Sequence, residues 1–303
     1  MKTKLFTLLV LGTIIICACN RGEHFVKSGI EKSKKGDKAG AIVDYTKAIE
    51  IDPKSADAYL HRGKAKSDNK EFDSALIDFT KSIEINPKSA DAYYSRGNAE
   101  MANHDIKGAL NDYTKAIEVD PKYESAYFNR AAIRLANKDI NGSIEDYDKV
   151  IEINPKFALA YHGRGMAKGY LQDFNGAIDD MSKSLEIDPK ASDSYLQRGR
   201  AYNVLQENVK SIADYTKAID INPKDDDAYY YRGNSKLMLQ DFLGAMNDFN
   251  KCIGINPEYA AAYYLRGLLK LDFSTKNDAC LDFSKAGELG YAAAYEAIKK
   301  YCQ

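Results

Sequence analysis

Apolar and small residues return along this chain at helical spacing. Tyr59, Gly63 and Lys66 stand at i, i+4 and i+7, and Phe72, Ala75, Leu76, Phe79 and Ile83 keep a similar rhythm, so both stretches predict amphipathic helices. The polar segment Ser67-Asp68-Asn69-Lys70 separates them. The second helix is expected to end before Asn86-Pro87, because proline has no amide proton and biases the residue before it away from helical geometry. The predicted unit is therefore a helix–turn–helix hairpin.

The unit recurs. Pro53, Pro87, Pro121, Pro155, Pro189, Pro223 and Pro257 fall 34 residues apart without deviation, which is the mark of a stacked repeat protein. Gly29, Gly63, Gly97, Gly165, Gly199, Gly233 and Gly267 share one slot, with Ala131 in the gap. A second small slot runs from Ala41 to Ala279, and a bulky slot follows it with Tyr45, Phe79, Tyr113, Tyr147, Met181, Tyr215, Phe249 and Phe283. Eight units begin at Gly22, Ala56, Ala90, Glu124, Ala158, Ser192, Asp226 and Ala260, and slots are numbered from these starts. The small residues at slots 8 and 20 let the two helices approach closely, the aromatic slots fill the space beside them, and neighbours must stack because one hairpin cannot bury its apolar face alone. Slot 16 is acidic in seven units, as suits the free amides of a starting helix.

Slots 4, 8, 11, 20, 24, 27 and 32 resemble the tetratricopeptide repeat pattern, well seen in repeat 3 with Tyr93, Gly97, Ala109, Tyr113, Ala116 and Pro121. The resemblance runs from Gly22 nearly to the C-terminus. It implies an all-α, right-handed superhelical solenoid over residues 22–290, with residues 291–303 as a capping helix carrying the stripe Tyr291, Ala294, Tyr295, Ile298 and Tyr301. The chain departs from the pattern with Tyr or Phe for Trp at slot 4, arginine for leucine at slot 7, and Tyr291 where repeat 8 should have proline.

That arginine recurs at positions 62, 96, 130, 164, 198, 232 and 266, and slot 23 is aspartate in every unit, from Asp44 to Asp282. Slots 7 and 23 lie equally far from the turn, so an ion pair that sets helix register is expected, in preference to an anion-binding ladder.

The first 18 residues join Lys2 and Lys4 to the apolar run Leu5–Ile16, which is short for a bilayer span and reads as a secretory signal. Ile16-Cys17-Ala18-Cys19 resembles the bacterial lipoprotein cleavage box, which implies lipidation of Cys19, residues 19–21 as a short lipidated linker, and a membrane-anchored protein of the cell envelope, the outer membrane being preferred over the inner. Without residues 1–18 the chain holds 41 basic and 44 acidic residues, a balance that argues against a nucleic-acid partner. The lysines at 27, 32, 34, 35 and 38 read as the solvated face of an end repeat.

No enzyme is expected. The glycine-dense stretch Gly163–Gly169 has the wrong spacing for a phosphate loop, and the histidines at 24, 61, 104 and 162 contain no i, i+4 pair, so neither cofactor nor metal is expected. Cys252 and Cys280 read as packed thiols, with a tail disulfide through Cys302 left open.

Exposed residues that break the period are free to recognise a partner. In the tetratricopeptide family the stripe at slots 5, 9 and 12 lines the concave groove, which here nominates Tyr94, Asn98, Phe128, His162, Arg200, Tyr230, Asn234 and Tyr264. Rings give large contact area at little entropic cost, and amides meet a peptide backbone or a sugar hydroxyl. The expected function is a membrane-tethered adaptor or assembly factor that binds a protein or peptide segment. The alternative is a glycan- or solute-binding lipoprotein. A clamp for chaperone tails is not expected, because Asn98 and Asn234 have Tyr94 and Tyr230 at slot 5 where that clamp needs lysine.

Overall fold

The computed structural model describes residues 21–302 and contains α-helices and no strand among them. The signal segment and Cys19 lie outside the described residues. The chain divides into two compact units, one ending at Asp139 and the other beginning at Ile140.

The first unit comprises α1 (21–34), α2 (Lys38–Ile51), α3 (Ala56–Asp68), α4 (Phe72–Ile85), α5 (Ala90–Ala102), α6 (Ile106–Val119) and α7 (Glu124–Ala136). The second comprises α8 (Ile140–Ile153), α9 (Ala158–Tyr170), α10 (Phe174–Ile187), α11 (Ser192–Val204), α12 (Asn208–Ile221), α13 (Asp226–Met238), α14 (Phe242–Ile255), α15 (Ala260–Phe273), α16 (Lys276–Glu288) and α17 (Ala292–Tyr301). Within each unit, successive helices pack on one another as helix–turn–helix pairs.

The turn between paired helices passes through one left-handed residue at slot 15: Lys70, His104, Lys138, Gln172, Gln206 and Gln240 have φ between 61° and 66°. In four repeats the slot 16 aspartate then caps the second helix. Asp37, Asp105, Asp173 and Asp241 accept from the amides of Gly40, Gly108, Gly176 and Gly244, whereas the longer Glu71 and Glu207 make no cap bond.

The bulky ring of slot 24 lies over the slot 8 glycine. A Cβ on Gly97 would come 2.9 Å from Tyr113 Cε1, and one on Gly233 would come 2.8 Å from Phe249 Cε1, so the flat ring uses the missing methyl to bring the two helices together. Two further small stripes, Ala58, Ala92, Ala126, Ala160, Ala228 and Ala262 at slot 3 and Ala65, Ala99, Ala167 and Ala201 at slot 10, are equally buried.

The arginine–aspartate pairing is intramolecular to each repeat. Arg62, Arg96, Arg164, Arg198, Arg232 and Arg266 each send Nε and Nη2 to the two oxygens of the slot 23 aspartate of the same hairpin. Nη1 reaches back to slot 25 of the preceding repeat, as from Arg96 to Thr80, Arg130 to Thr114 and Arg232 to Thr216. Repeat 1, which has Ser28 in place of arginine, sends the serine hydroxyl to Asp44 at 2.6 Å.

Cys280 is not a packed free thiol, because α17 folds back on α16 and brings Cys302 within 5.7 Å Cα to Cα, where the two form a disulfide. Cys252 is a buried free thiol whose pKa burial pushes up to about 12. In α17 the buried residues are Ala294 and Ala297, while Tyr295 turns outward and donates its hydroxyl to the Gly287 carbonyl at 2.9 Å.

Candidate functional site

The first helices of repeats 3 and 4, α5 and α7, lie on either side of a polar and aromatic cluster. Asn98 Oδ1 accepts from Tyr113 Oη at 2.7 Å and from Asn129 Nδ2 at 3.0 Å. The same Asn129 amide nitrogen lies 3.4 Å from the hydroxyls of Tyr94 and Tyr113. The Tyr94 ring packs against Tyr113 and Tyr123 with centroids 5.7 and 5.1 Å away. Tyr123 Oη donates to Asp91 Oδ1 at 3.3 Å, and Lys64 closes on the same carboxylate at 2.6 Å. Burial lifts the Tyr113 hydroxyl to about 12, so it remains a donor at neutral pH.

Tyr123 sits at the N-cap of α7 and makes no cap bond, whereas Ser55 and Ser89 at the matching positions of α3 and α5 do. The chain has given up a capping side chain, worth about 1 kcal/mol, to place a ring there. The second unit repeats the device. Tyr259, the N-cap of α15 with no cap bond, packs tilted against Tyr230 with centroids 4.8 Å apart and donates to Asp227 Oδ1 at 2.7 Å, and Tyr291, at the N-cap of α17, lies 5.0 Å from Tyr264.

Repeat profiles match this chain at residues 90–123 as "Tetratricopeptide repeat", at 56–89, 124–157 and 158–191 under the same description, and at 33–70 and 199–240 as "TPR repeat". The chain belongs to the tetratricopeptide repeat family. Among solved structures it is similar to a tetratricopeptide repeat protein from Parabacteroides merdae, with 19% identity over 82% of this chain and 99% of that one and a TM-score of 0.58. It is also similar to the C-terminal part of a TPR repeat-containing protein from Cytophaga hutchinsonii, with 18% identity, 78% and 97% coverage and a TM-score of 0.65. A third is YrrB, described as a TPR protein with an unusual peptide-binding site, with 23% identity, 61% and 95% coverage and a TM-score of 0.56. These likenesses concern the fold. A comparison with curated proteins gives no match.

Within this tetratricopeptide array the nominated residues separate. Tyr94, Asn98 and Phe128 belong to the first unit and are half-buried, and the first two join the cluster around Asn129. In the second unit, His162 is half-buried, hydrogen-bonds Ser194 Oγ through Nδ1 at 2.9 Å, and has its pKa lowered by burial. Arg200 is exposed with its guanidinium 5.0 Å from the Tyr231 ring. Tyr230 packs among Tyr231, Phe249 and Tyr259, Tyr264 packs on Phe283 and Tyr291, and Asn234 is half-buried on α13. Slot 5 is not groove throughout, since Leu60 and Leu196 are buried core residues. Asn129, Tyr123 and Asp91 were absent from the sequence-based set. Their signal was an aromatic at a capping position and an amide at slot 6.

A recess of about 250 Å³ among α9, α10 and α11 is lined by Met166, Gly169, Phe174 and Arg200. Among the described residues, no cluster of His, Cys, Asp or Glu is placed to hold a metal ion, and no helix is long and apolar enough to cross a membrane.

Proposed function

We propose that this chain is a protein-interaction scaffold of the bacterial cell envelope, tethered by lipid at Cys19, that holds an extended partner segment against α5 and α7. The observation that carries the reading is the amide pair Asn98–Asn129. Two donors occupy Asn98 Oδ1, which fixes the amide and leaves Nδ2 to donate, while Asn129 spends its Nδ2 within the cluster and leaves Oδ1 to accept. A fixed donor next to a fixed acceptor complements the C=O and N–H of a peptide backbone, and the flanking Tyr94 and Tyr123 rings offer contact area for its side chains. The pre-set geometry reduces the ordering cost of binding.

The envelope location rests on the cleavage box before Cys19 and is supported by the Cys280–Cys302 disulfide, which suits an oxidising compartment. Two variants test the two parts separately. Asn98→Ala combined with Asn129→Ala should lower capture of envelope proteins at least about tenfold while helicity is kept, in line with loss of interface hot spots. Undiminished capture would remove the site from α5 and α7. Cys19→Ser should move the protein from membrane to soluble fractions, and continued membrane fractionation would refute the tether.

A further inference from the structure

Repeat 3 breaks the charge pattern of its relatives at one buried point. Slot 11 is lysine in repeats 1, 2, 5, 7 and 8, and each lysine joins its slot 23 aspartate: Lys32–Asp44 and Lys66–Asp78 at 2.7 Å, Lys168–Asp180 and Lys236–Asp248 at 2.8 Å, Lys270–Asp282 at 2.9 Å. In repeat 3 slot 11 is Glu100, on α5, and slot 23 is Asp112, on α6. Arg96, one turn before Glu100, spends Nε and Nη2 on Asp112 at 2.6 and 2.8 Å and stands 4.0 Å from Glu100 Oε1. Glu100 Oε2 is buried without a hydrogen-bond partner, and the side chain is only 16% exposed.

From α6 the carboxyl also faces Asp105, the N-cap, and Tyr113. A Cβ on Gly108 would come 2.9 Å from Glu100 Cδ, so the group is pressed against the first turn of that helix. Two carboxylates thus share a site that holds one carboxylate and one ammonium in five other repeats. Close carboxylates with too little counter-charge do not both stay ionised.

We propose that Glu100 takes up a proton where its counterparts place a lysine ammonium, which makes the α5–α6 hairpin a pH-sensitive element of the array. The protonated acid turns one oxygen from an unfilled acceptor into a donor within hydrogen-bonding range of Asp112, and it removes the like charge. Burial, with the Asp112 charge second, holds the Glu100 carboxyl up at about 7. The folded state then keeps a proton that the unfolded chain releases near the ordinary value of 4.5, so the stabilisation is full below that value and is lost as pH rises through about 7. Tyr113, which donates to Asn98, feels the Glu100 charge, and the titration of Glu100 stands apart from any peptide bound at α5 and α7.

The full chain is unfolded with urea between pH 5 and pH 8, beside Glu100→Gln, a permanent mimic of the protonated acid, and Glu100→Lys, which restores the lysine–aspartate pair of five other repeats and should remove the pH dependence as Glu100→Gln does. The wild type and Glu100→Gln should match at pH 5 and separate by pH 8 by at least about tenfold in the unfolding equilibrium, since each unit of pKa shift is tenfold. Other titrating groups cancel in that difference. Hydrogen exchange in the unmutated protein supplies a second reading: protection of α5 and α6 should fall relative to α3 and α4 between pH 6 and pH 8. A wild-type-to-Gln difference that is constant across this range, or α5–α6 protection that tracks α3–α4, would overturn the proposal.

Discussion

Arg96 and Asp112 face each other across the α5–α6 hairpin through two near-parallel hydrogen bonds, at 2.6 and 2.8 Å, while the guanidinium carbon lies 5.9 Å from the Tyr93 ring centroid. The same arginine-over-tyrosine contact, at 5.3–5.9 Å, recurs in repeats 2 to 8. Tyrosine at slot 4 and arginine at slot 7 are therefore one device. A planar cation at slot 7 needs a ring on one side and a carboxylate at its edge, and its third donor ties each hairpin to the one before.

Arg232→Ala should destabilise the protein by about 3 kcal/mol, because Asp248 is buried and loses its bidentate partner, keeping only Lys236. Arg232→Lys should recover part of that loss, since an ammonium supplies charge but neither the fork nor the stacking face. Urea unfolding of the two variants checks the order. Equal stability of all three proteins would show that the pair does not set register.

Two glycines should respond with opposite signs. In Gly233→Ala the new methyl meets the Phe249 ring edge at 2.8 Å, and overpacking of this kind costs about 1–3 kcal/mol. Gly169 lies near the end of α9 with nothing within 4 Å of a Cβ, so Gly169→Ala should raise stability by up to about 1 kcal/mol through helix propensity. Thermal unfolding of each single variant distinguishes them.

Cys302→Ser should free α17 from α16. The disulfide closes a loop of 22 residues, for which loop entropy gives about 3 kcal/mol, and the loss should be confined to the C-terminal end because stacked repeats stabilise only their neighbours. Hydrogen exchange should show faster exchange in α16 and α17, with α9 to α11 unchanged. Uniform loosening of the second unit would contradict nearest-neighbour stacking.

The repeat was legible because the prolines, the slot 8 glycines and the slot 24 rings recur at 34 residues, so chance at any one position averages out. The Arg–Asp pair was legible because equal distance from the turn places slots 7 and 23 at one height. The slot 3 and slot 10 alanines were hidden, since alanine suits any helical position and marks no face. The cluster at Asn98 was half-visible: a single stripe of slots gave Tyr94 and Asn98, but Tyr123 and Asn129 belong to a cap and to the adjoining stripe. The partner of Cys302 depends on how α17 folds back, which periodicity does not carry.

A photo-crosslinking residue placed at Tyr94 in the intact cell, with the exposed Ile77 of α4 as the control position, reads partner contact at the α5–α7 cluster itself. A partner segment held between α5 and α7 should give a protease-sensitive adduct from position 94 that is absent from position 77 and disappears when Asn98→Ala and Asn129→Ala are added. Equal adducts from both positions, or an adduct at 94 that survives loss of both amides, would contradict it.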